Sequence, residues 1–317
     1  MRIVRPTTFG GPEVLQVLDE DAPSPGVGEV LVGVRAIDVN PVDWKLYSGA
    51  FGADPGLLGA VGTSVSGVVL ALGEPGADGP SLAVGDAVVA RAVHGTTYAE
   101  RVVADAAAVH ALPAGVGFEE GAALLVAGGT AFHALDAVGL GDGEHAGQTL
   151  LVHGAAGGVG SMVVQLAVLR GVRVIATASE RNHDYLRGLG AEPVTYGDGL
   201  ADRVRALAPS GVDAVLDLVG TDEAVRTSLE LVADRDRVAT IVPGAAARGA
   251  GVRALGGGPG SDPGTAVRQA SIPVLLRLVA DRRLRVAVTV TYPLDRTSDA
   301  HRAGRDGHTR GKVVVVP

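Results

Sequence analysis

Leu150-Leu151-Val152-His153-Gly154-Ala155-Ala156-Gly157-Gly158-Val159-Gly160, continued by Ser161-Met162-Val163-Val164-Gln165-Leu166-Ala167, reads as a short buried strand that turns through Gly154, Gly157 and Gly160 into an apolar helix. Such a turn lets backbone N–H groups approach a diphosphate and points a helix N-terminus at its negative charge. Gly154, Ala156, Gly157, Gly158, Val159 and Gly160 are therefore candidates for gripping a dinucleotide. With 47 glycines in 317 residues, such a spacing also arises by chance. Context gives it weight: a strand before, a helix after, and a second strand-like run at Val172–Ala178.

Outward from this segment the chain has two textures. Up to about residue 118 it is β-rich, with β-branched runs at Val30–Ala36, Gly67–Leu72, Asp86–Ala90 and Arg101–Ala104 punctuated by Gly and Pro. An antiparallel barrel or sandwich fits, with one short helical piece near Val42–Tyr47. From Phe118 helices and strands alternate. Glu119–Val138 is helical, then Gln148–His153, Gly157–Arg170, Val172–Ala178, Asn182–Leu189, Leu200–Leu207, Val212–Val219, Asp222–Ala233 and Arg237–Val242 follow in turn. That rhythm predicts a parallel, doubly wound α/β sheet. Residues 248–264 read as a Gly/Pro-rich loop or irregular strand, and about Thr265–Arg283 as a helix. Two strand-like runs, Val286–Thr291 and Lys312–Val316, close the chain. The expected domains are 1–120 with 265–317, and 121–264.

Composition excludes several classes. A net charge of −8 and the absence of a basic cluster with interleaved aromatics give no nucleic-acid footprint. Cysteine is absent, so disulfides, thiolate zinc sites and cysteine nucleophiles are excluded. The 27 basic residues include only two lysines, Lys45 and Lys312, which reads as coding bias. Apolar runs such as Ala122–Ala127 are too short to cross a bilayer, and Met1–Pro6 has no signal-peptide core; a soluble cytoplasmic protein is the expectation.

Several segments together resemble the zinc-independent quinone oxidoreductases of the medium-chain dehydrogenase/reductase superfamily. They are Asn40-Pro41-Val42-Asp43-Trp44-Lys45-Leu46-Tyr47-Ser48-Gly49, Thr97-Tyr98-Ala99-Glu100, Phe118-Glu119-Glu120-Gly121-Ala122-Ala123-Leu124, His153–Gly160 and Gly307-His308-Thr309-Arg310-Gly311-Lys312-Val313-Val314. The likeness runs in order over essentially the whole chain. It implies a GroES-like β-barrel domain plus a Rossmann domain with the active site in the cleft between them. It also implies NADPH as hydride donor to quinones or to the C=C of α,β-unsaturated carbonyl compounds, and a homodimer. The chain departs from the family pattern at Ser64, where an acid is usual, and at Gly129, where a bulkier apolar residue is common. Both departures hint at a roomier, less polar substrate cleft.

At the end of the second Rossmann strand, Glu180 is the acid that an NAD site would use. Ser179 with Arg181 is the preferred reading, because arginine forms charge-assisted bonds to a 2′-phosphate and serine donates without repelling it. The resemblance places Tyr196 near the adenosine phosphate. It places the backbone of Ile241 and Val242 at the nicotinamide carboxamide, Leu255 and Gly256 along the same cleft or at a dimer edge, and Arg310 of the closing motif among the cofactor residues. No triad, paired carboxylates or metal cluster can be assembled, which hydride transfer does not require. Asn40 is the first choice for a polar group at the nicotinamide end, against a plain helix-capping role. Thr130 is expected at the nicotinamide or its ribose, against a hydroxyl bonding within its helix, and Phe51 matches a family aromatic over the substrate pocket, against plain core packing. Tyr47, Trp44, His133 and His153 read better as structural. Two alternatives remain: an enoyl reductase on a polyketide or other secondary-metabolite intermediate, and a non-catalytic NADPH-binding protein.

Overall fold

Alternating valines set the first strands. In the computed structural model, which describes residues 1–76, 81–91, 95–307 and 309–317, Val30, Val32, Val34 and Ala36 face inward. His308 of the closing motif lies outside the described residues. The chain divides into two units, Met1–Val126 with Pro273–Pro317, and Ala127–Ile272. Their edges fall inside helices.

The first unit begins with β1 (Arg2–Pro6) and β2 (Leu15–Asp19), an antiparallel pair. Then come β3 (Glu29–Asp38), α1 (Pro41–Tyr47), β4 (Ser64–Leu72), β5 (Ala87–Arg91), β6 (Arg101–Asp105), β7 (Val109–Ala111) and α2 (Phe118–Ala137), which carries the chain into the second unit.

The second unit continues with β8 (Thr149–His153), α3 (Gly158–Leu169), β9 (Arg173–Thr177), α4 (His183–Gly188), β10 (Glu192–Val194), α5 (Leu200–Leu207), β11 (Ala214–Asp217), α6 (Asp222–Leu231), β12 (Val238–Thr240), α7 (Ala245–Gly249) and β13 (Arg253–Ala254). Helix α8 (Thr265–Ala280) leads back to the first unit, which ends with β14 (Val288–Pro293), α9 (Thr297–Arg305) and β15 (Lys312–Val316).

The larger sheet of the first unit has the order β14-β15-β3-β4-β5-β7, with β6 also on β3. It is antiparallel except where β14 runs parallel to β15. Its core is largely valine, joined by buried Tyr47 and Tyr98, with Trp44 packed against it.

The second unit is a wholly parallel sheet of order β10-β9-β8-β11-β12-β13. This is a Rossmann order, with its switch point between β8 and β11. Both strands there are buried from end to end, as a sheet covered on both faces requires. Helix α3 is buried over Gly160–Ala167, which accounts for its apolar composition all round.

Three elements differ from the sequence reading. The β1–β2 hairpin was not expected, because Arg2, Arg5 and Pro6 mask its alternation. Residues 248–264 hold the end of α7 and the two-residue β13. Helix α9 lies between the last two strands; it buries only Thr297, Ala300 and His301 and so lacks an apolar stripe.

Candidate functional site

Two places carry chemistry, one in each unit. In the Rossmann unit, β8 ends at His153 and the chain turns at Gly154, whose φ of +73° and whose closeness to Val219 (2.5 Å from an added Cβ) both require glycine. Gly157 caps α3 in an extended conformation with φ −75°. At Gly160 a Cβ would press on Gly154 O and lie 2.7 Å from Ala155 Cα, so helix and turn touch backbone to backbone. At Gly157 the nearest protein atom to a Cβ is Gly154 O, at 3.6 Å. Packing therefore dictates the first and third glycines, and the middle one keeps open space before the helix. The first N–H groups of α3, at Gly158, Val159 and Gly160, have no intrahelical acceptor. A diphosphate fits this cradle, being anionic and rich in acceptors.

Around the turn, Thr177 Oγ1 accepts from Gly154 N at 3.4 Å and stands 3.4 Å from His153 Nδ1. Burial lowers the His153 pKa to about 4, so the ring is neutral, and its Nε2 has no partner among the described residues. Sequence reasoning missed Asp217 and Thr240. Asp217 Oδ1 accepts from the N–H groups of Val219 and Gly220, and its Oδ2 accepts from Thr240 Oγ1 at 2.9 Å. Those bonds tie together the ends of β11 and β12, beside Ile241 and Val242, which are half-buried. Ser179 is half-buried and its Oγ accepts from Asn182 Nδ2; Arg181 is exposed, and Tyr196 is 55% exposed. Leu255 is buried, its N–H donating to Thr240 O, and Gly256 follows with φ +132°.

Thr130 is buried in α2. One turn on, His133 is buried too, its Nε2 3.2 Å from Asp262 Oδ2 and its Nδ1 facing the Arg268 guanidinium at 3.4 Å. Burial lowers its pKa, the expected behaviour of a structural histidine. At Gly129 an added Cβ would stand in ordinary contact with Arg268, 3.6 Å from its Cβ.

In the first unit a buried polar network gathers residues far apart in sequence. Lys312 Nζ donates to Asn40 Oδ1 at 2.7 Å and Val39 O at 3.0 Å and forms an ion pair with Asp38 Oδ1 at 2.8 Å. Asn40, only 2% exposed, donates from Nδ2 to Asp38 Oδ2 at 2.8 Å and to Thr63 Oγ1 at 3.1 Å. Its backbone N–H donates to Asp43 Oδ2, which also accepts from Tyr98 OH at 2.7 Å.

Burial raises both carboxyl pKa values, that of Asp38 against the pull of Lys312 and that of Asp43 to about 7 against the bond from Tyr98. Ser64 is fully buried and its Oγ donates to Ala122 O, so its lost charge is not a change of exposed polarity. Asn40 caps α1, the plainer role weighed for it, and is also the hub of this network. Tyr47 is buried with its hydroxyl 2.8 Å from His301 Nδ1. Phe51 is 43% exposed. Arg310 is exposed, two residues before Lys312.

Among the described residues no group of His, Asp and Glu is arranged to hold a metal ion, and no helix is long and apolar enough to cross a membrane. Family models described as alcohol dehydrogenase GroES-like domain and zinc-binding dehydrogenase match residues 26–131 and 189–315. The mouse protein "Quinone oxidoreductase" is 32% identical over 76% of this chain and 73% of its own length. The pikromycin polyketide synthase component PikAII of Streptomyces venezuelae is 35% identical, covering 99% of this chain and 8% of that one. A mycobacterial protein solved in complex with NADPH superposes with a TM-score of 0.82 at 32% identity, over the full length of both chains. With a GroES-like first domain, a Rossmann second one and this degree of likeness, the chain belongs to the quinone oxidoreductases of the medium-chain dehydrogenase/reductase superfamily.

Proposed function

We propose that the chain is an NADPH-dependent, zinc-independent reductase that passes hydride to a quinone or to the C=C of an α,β-unsaturated carbonyl compound. The observation that carries this is the open middle glycine of a turn whose other two glycines are fixed by packing. NADPH, when bound, supplies the hydride. Gly154, Ala156, Gly157, Gly158, Val159 and Gly160 hold the diphosphate, and Ser179 and Arg181 the 2′-phosphate, with Tyr196 beside it. Ile241, Val242, Leu255, Gly256 and Arg310 complete the cofactor residues. Thr130 and Phe51 serve the reacting end. Asn40, whose amide hydrogens are both engaged, acts there by positioning rather than by direct contact. Zinc independence rests on composition: the zinc-binding relatives need cysteine thiolates, and this chain has none.

The test is NADPH oxidation, followed optically, with a panel of quinones and 2-alkenals. Turnover with at least one acceptor is expected; none across the panel, despite tight NADPH binding, sinks the reading in favour of a non-catalytic binder. Arg181→Ala is expected to weaken NADPH about tenfold and leave NADH unchanged, the modest size reflecting an exposed charge-assisted bond. Equal effects on both nucleotides would remove Arg181 from the 2′-phosphate site.

The likeness to a polyketide synthase segment over 99% of the chain favours a second reading, an enoyl reductase on a thioester-borne intermediate. A 2-enoyl thioester of N-acetylcysteamine, reduced faster than any quinone, selects it. A homodimer is part of this reading, and light scattering after size exclusion reads it directly.

A further inference from the structure

The buried network of the first unit has a direction and an open end. Lys312 presents a compact ammonium to three oxygens from consecutive residues, pairing with Asp38 Oδ1 and donating to Val39 O and Asn40 Oδ1. The planar fork of arginine does not converge in this way, so in a chain that otherwise favours arginine the lysine is required here. The Asn40 amide cannot be reversed, since its NH2 would then face the ammonium and its oxygen the Asp38 carboxylate. Donation therefore runs outward from Lys312 through Asn40 to Thr63. Asp38, Asn40 and Lys312 are buried, whereas Thr63 is half-buried. Its Oγ1 accepts from Asn40, and its own hydroxyl hydrogen meets no acceptor among the described residues. The preceding residue must be glycine: the φ of Gly62 is +96°, and a Cβ there would run into Thr97 Oγ1.

We infer that Thr63 is a catalytic residue whose hydroxyl donates a hydrogen bond to the acceptor's carbonyl oxygen as that oxygen gains negative charge. The inference rests on the reductase reading above and deepens it. In conjugate reduction, hydride forms a C–H bond at the β-carbon and the C=C pair moves to leave negative charge on the carbonyl oxygen. A proton from water then bonds the α-carbon, and the products are the saturated carbonyl compound and NADP+. Thr63 serves the middle of this sequence. The cation behind Asn40 polarises each bond in the chain, which makes the terminal hydroxyl a better donor than an isolated threonine.

Thr63→Val keeps the shape and removes the hydroxyl, and Thr63→Ser restores it. With wild type turning over, Thr63→Val is expected to lose at least about tenfold in kcat, toward the hundredfold typical of an oxyanion donor. Its NADPH Kd, read by fluorescence, stays unchanged, and Thr63→Ser recovers most of the rate. A second readout needs no turnover. In the presence of NADP+, 4-nitrophenolate, which mimics the charged oxygen, is expected to bind wild type and Thr63→Ser about tenfold more tightly than Thr63→Val. Asn40→Ala is expected to lower kcat in wild type and to add little in Thr63→Val, because both act through one hydrogen bond; independent losses would mean that Asn40 is merely structural. Equal affinity of all three proteins for the phenolate, including none, overturns the role of Thr63, as does kcat within twofold of wild type in Thr63→Val. A wild-type protein with no turnover on any acceptor overturns the reductase reading and this role together.

Discussion

Gly157→Ala is expected to leave thermal unfolding where it is and to weaken NADPH binding by about two orders of magnitude, or about 2.7 kcal/mol. The backbone at Gly157 is extended with φ −75°, which alanine adopts freely, and the nearest protein atom to the new methyl is 3.6 Å away. What the methyl would occupy is the space in front of the α3 N-terminus where a diphosphate must lie against backbone N–H groups. Gly160→Ala should behave in the opposite way. Helix propensity favours alanine by up to about 1 kcal/mol. Overpacking against rigid atoms costs about 1–3 kcal/mol, and the atoms met here, Gly154 O and Ala155 Cα, are both backbone. The steric term wins, so Tm falls. Calorimetry and isothermal titration on the two variants separate the effects. Undiminished NADPH affinity in Gly157→Ala would remove the cradle from the cofactor site.

Acid should unfold the protein earlier than its carboxylates alone would dictate. Burial depresses His301 to about 3 and His153 to about 4, from an ordinary 6.5. The unfolded chain takes up these protons near pH 6.5 while the folded chain refuses them, so stability is complete above 6.5 and falls as pH drops toward 3–4. Each histidine contributes a slope of up to about 1.4 kcal/mol per pH unit.

Asp43 works against them. Its folded pKa of about 7 lies above the ordinary 3.8, so its contribution is fully present below 3.8 and is lost as pH rises to 7. Between pH 6.5 and 5 each of these two histidines gives up about 1.6 kcal/mol, opposed by Asp43 and by Asp38, whose pKa burial also raises. Each loss is a sizeable part of the roughly 5–15 kcal/mol that holds a folded chain together. The double variant His301→Phe with Tyr47→Phe removes one titration and both partners of its hydrogen bond, while keeping rings stacked beside Trp44 and Tyr98. Urea midpoints at pH 5 and 6.5 should then differ less than in wild type, by up to about 2 kcal/mol. Parallel pH profiles would show that His301 does not supply the slope.

The Rossmann half was legible because its signals are local. A buried strand, a glycine turn and an apolar helix are contiguous in Thr149–Leu169, and the alternation that follows repeats at a spacing only a parallel sheet uses. The elements that escaped, the β1–β2 hairpin and α9, are held by contacts with distant parts of the chain and carry little apolar pattern of their own. Lys312 escaped for another reason. The scarcity of lysine looked like a coding habit, yet that scarcity was the signal that one lysine sits where arginine does not fit. Thr63 was in view beside Ser64 but had no partner until Asn40 was brought to it.

Sequence alone determined the succession of strands and helices, the glycine turn and the exclusion of thiolate chemistry, since periodicity, backbone conformation and residue type are properties of neighbours along the chain. Tertiary structure decided which glycine of the turn is left open, what Gly129 packs against and which groups meet at Asn40. The reason is distance: Asn40 and Lys312 stand 272 residues apart in the chain and 2.7 Å apart in space. The pairing of β15 with β3 brings them together, and no local pattern encodes that contact.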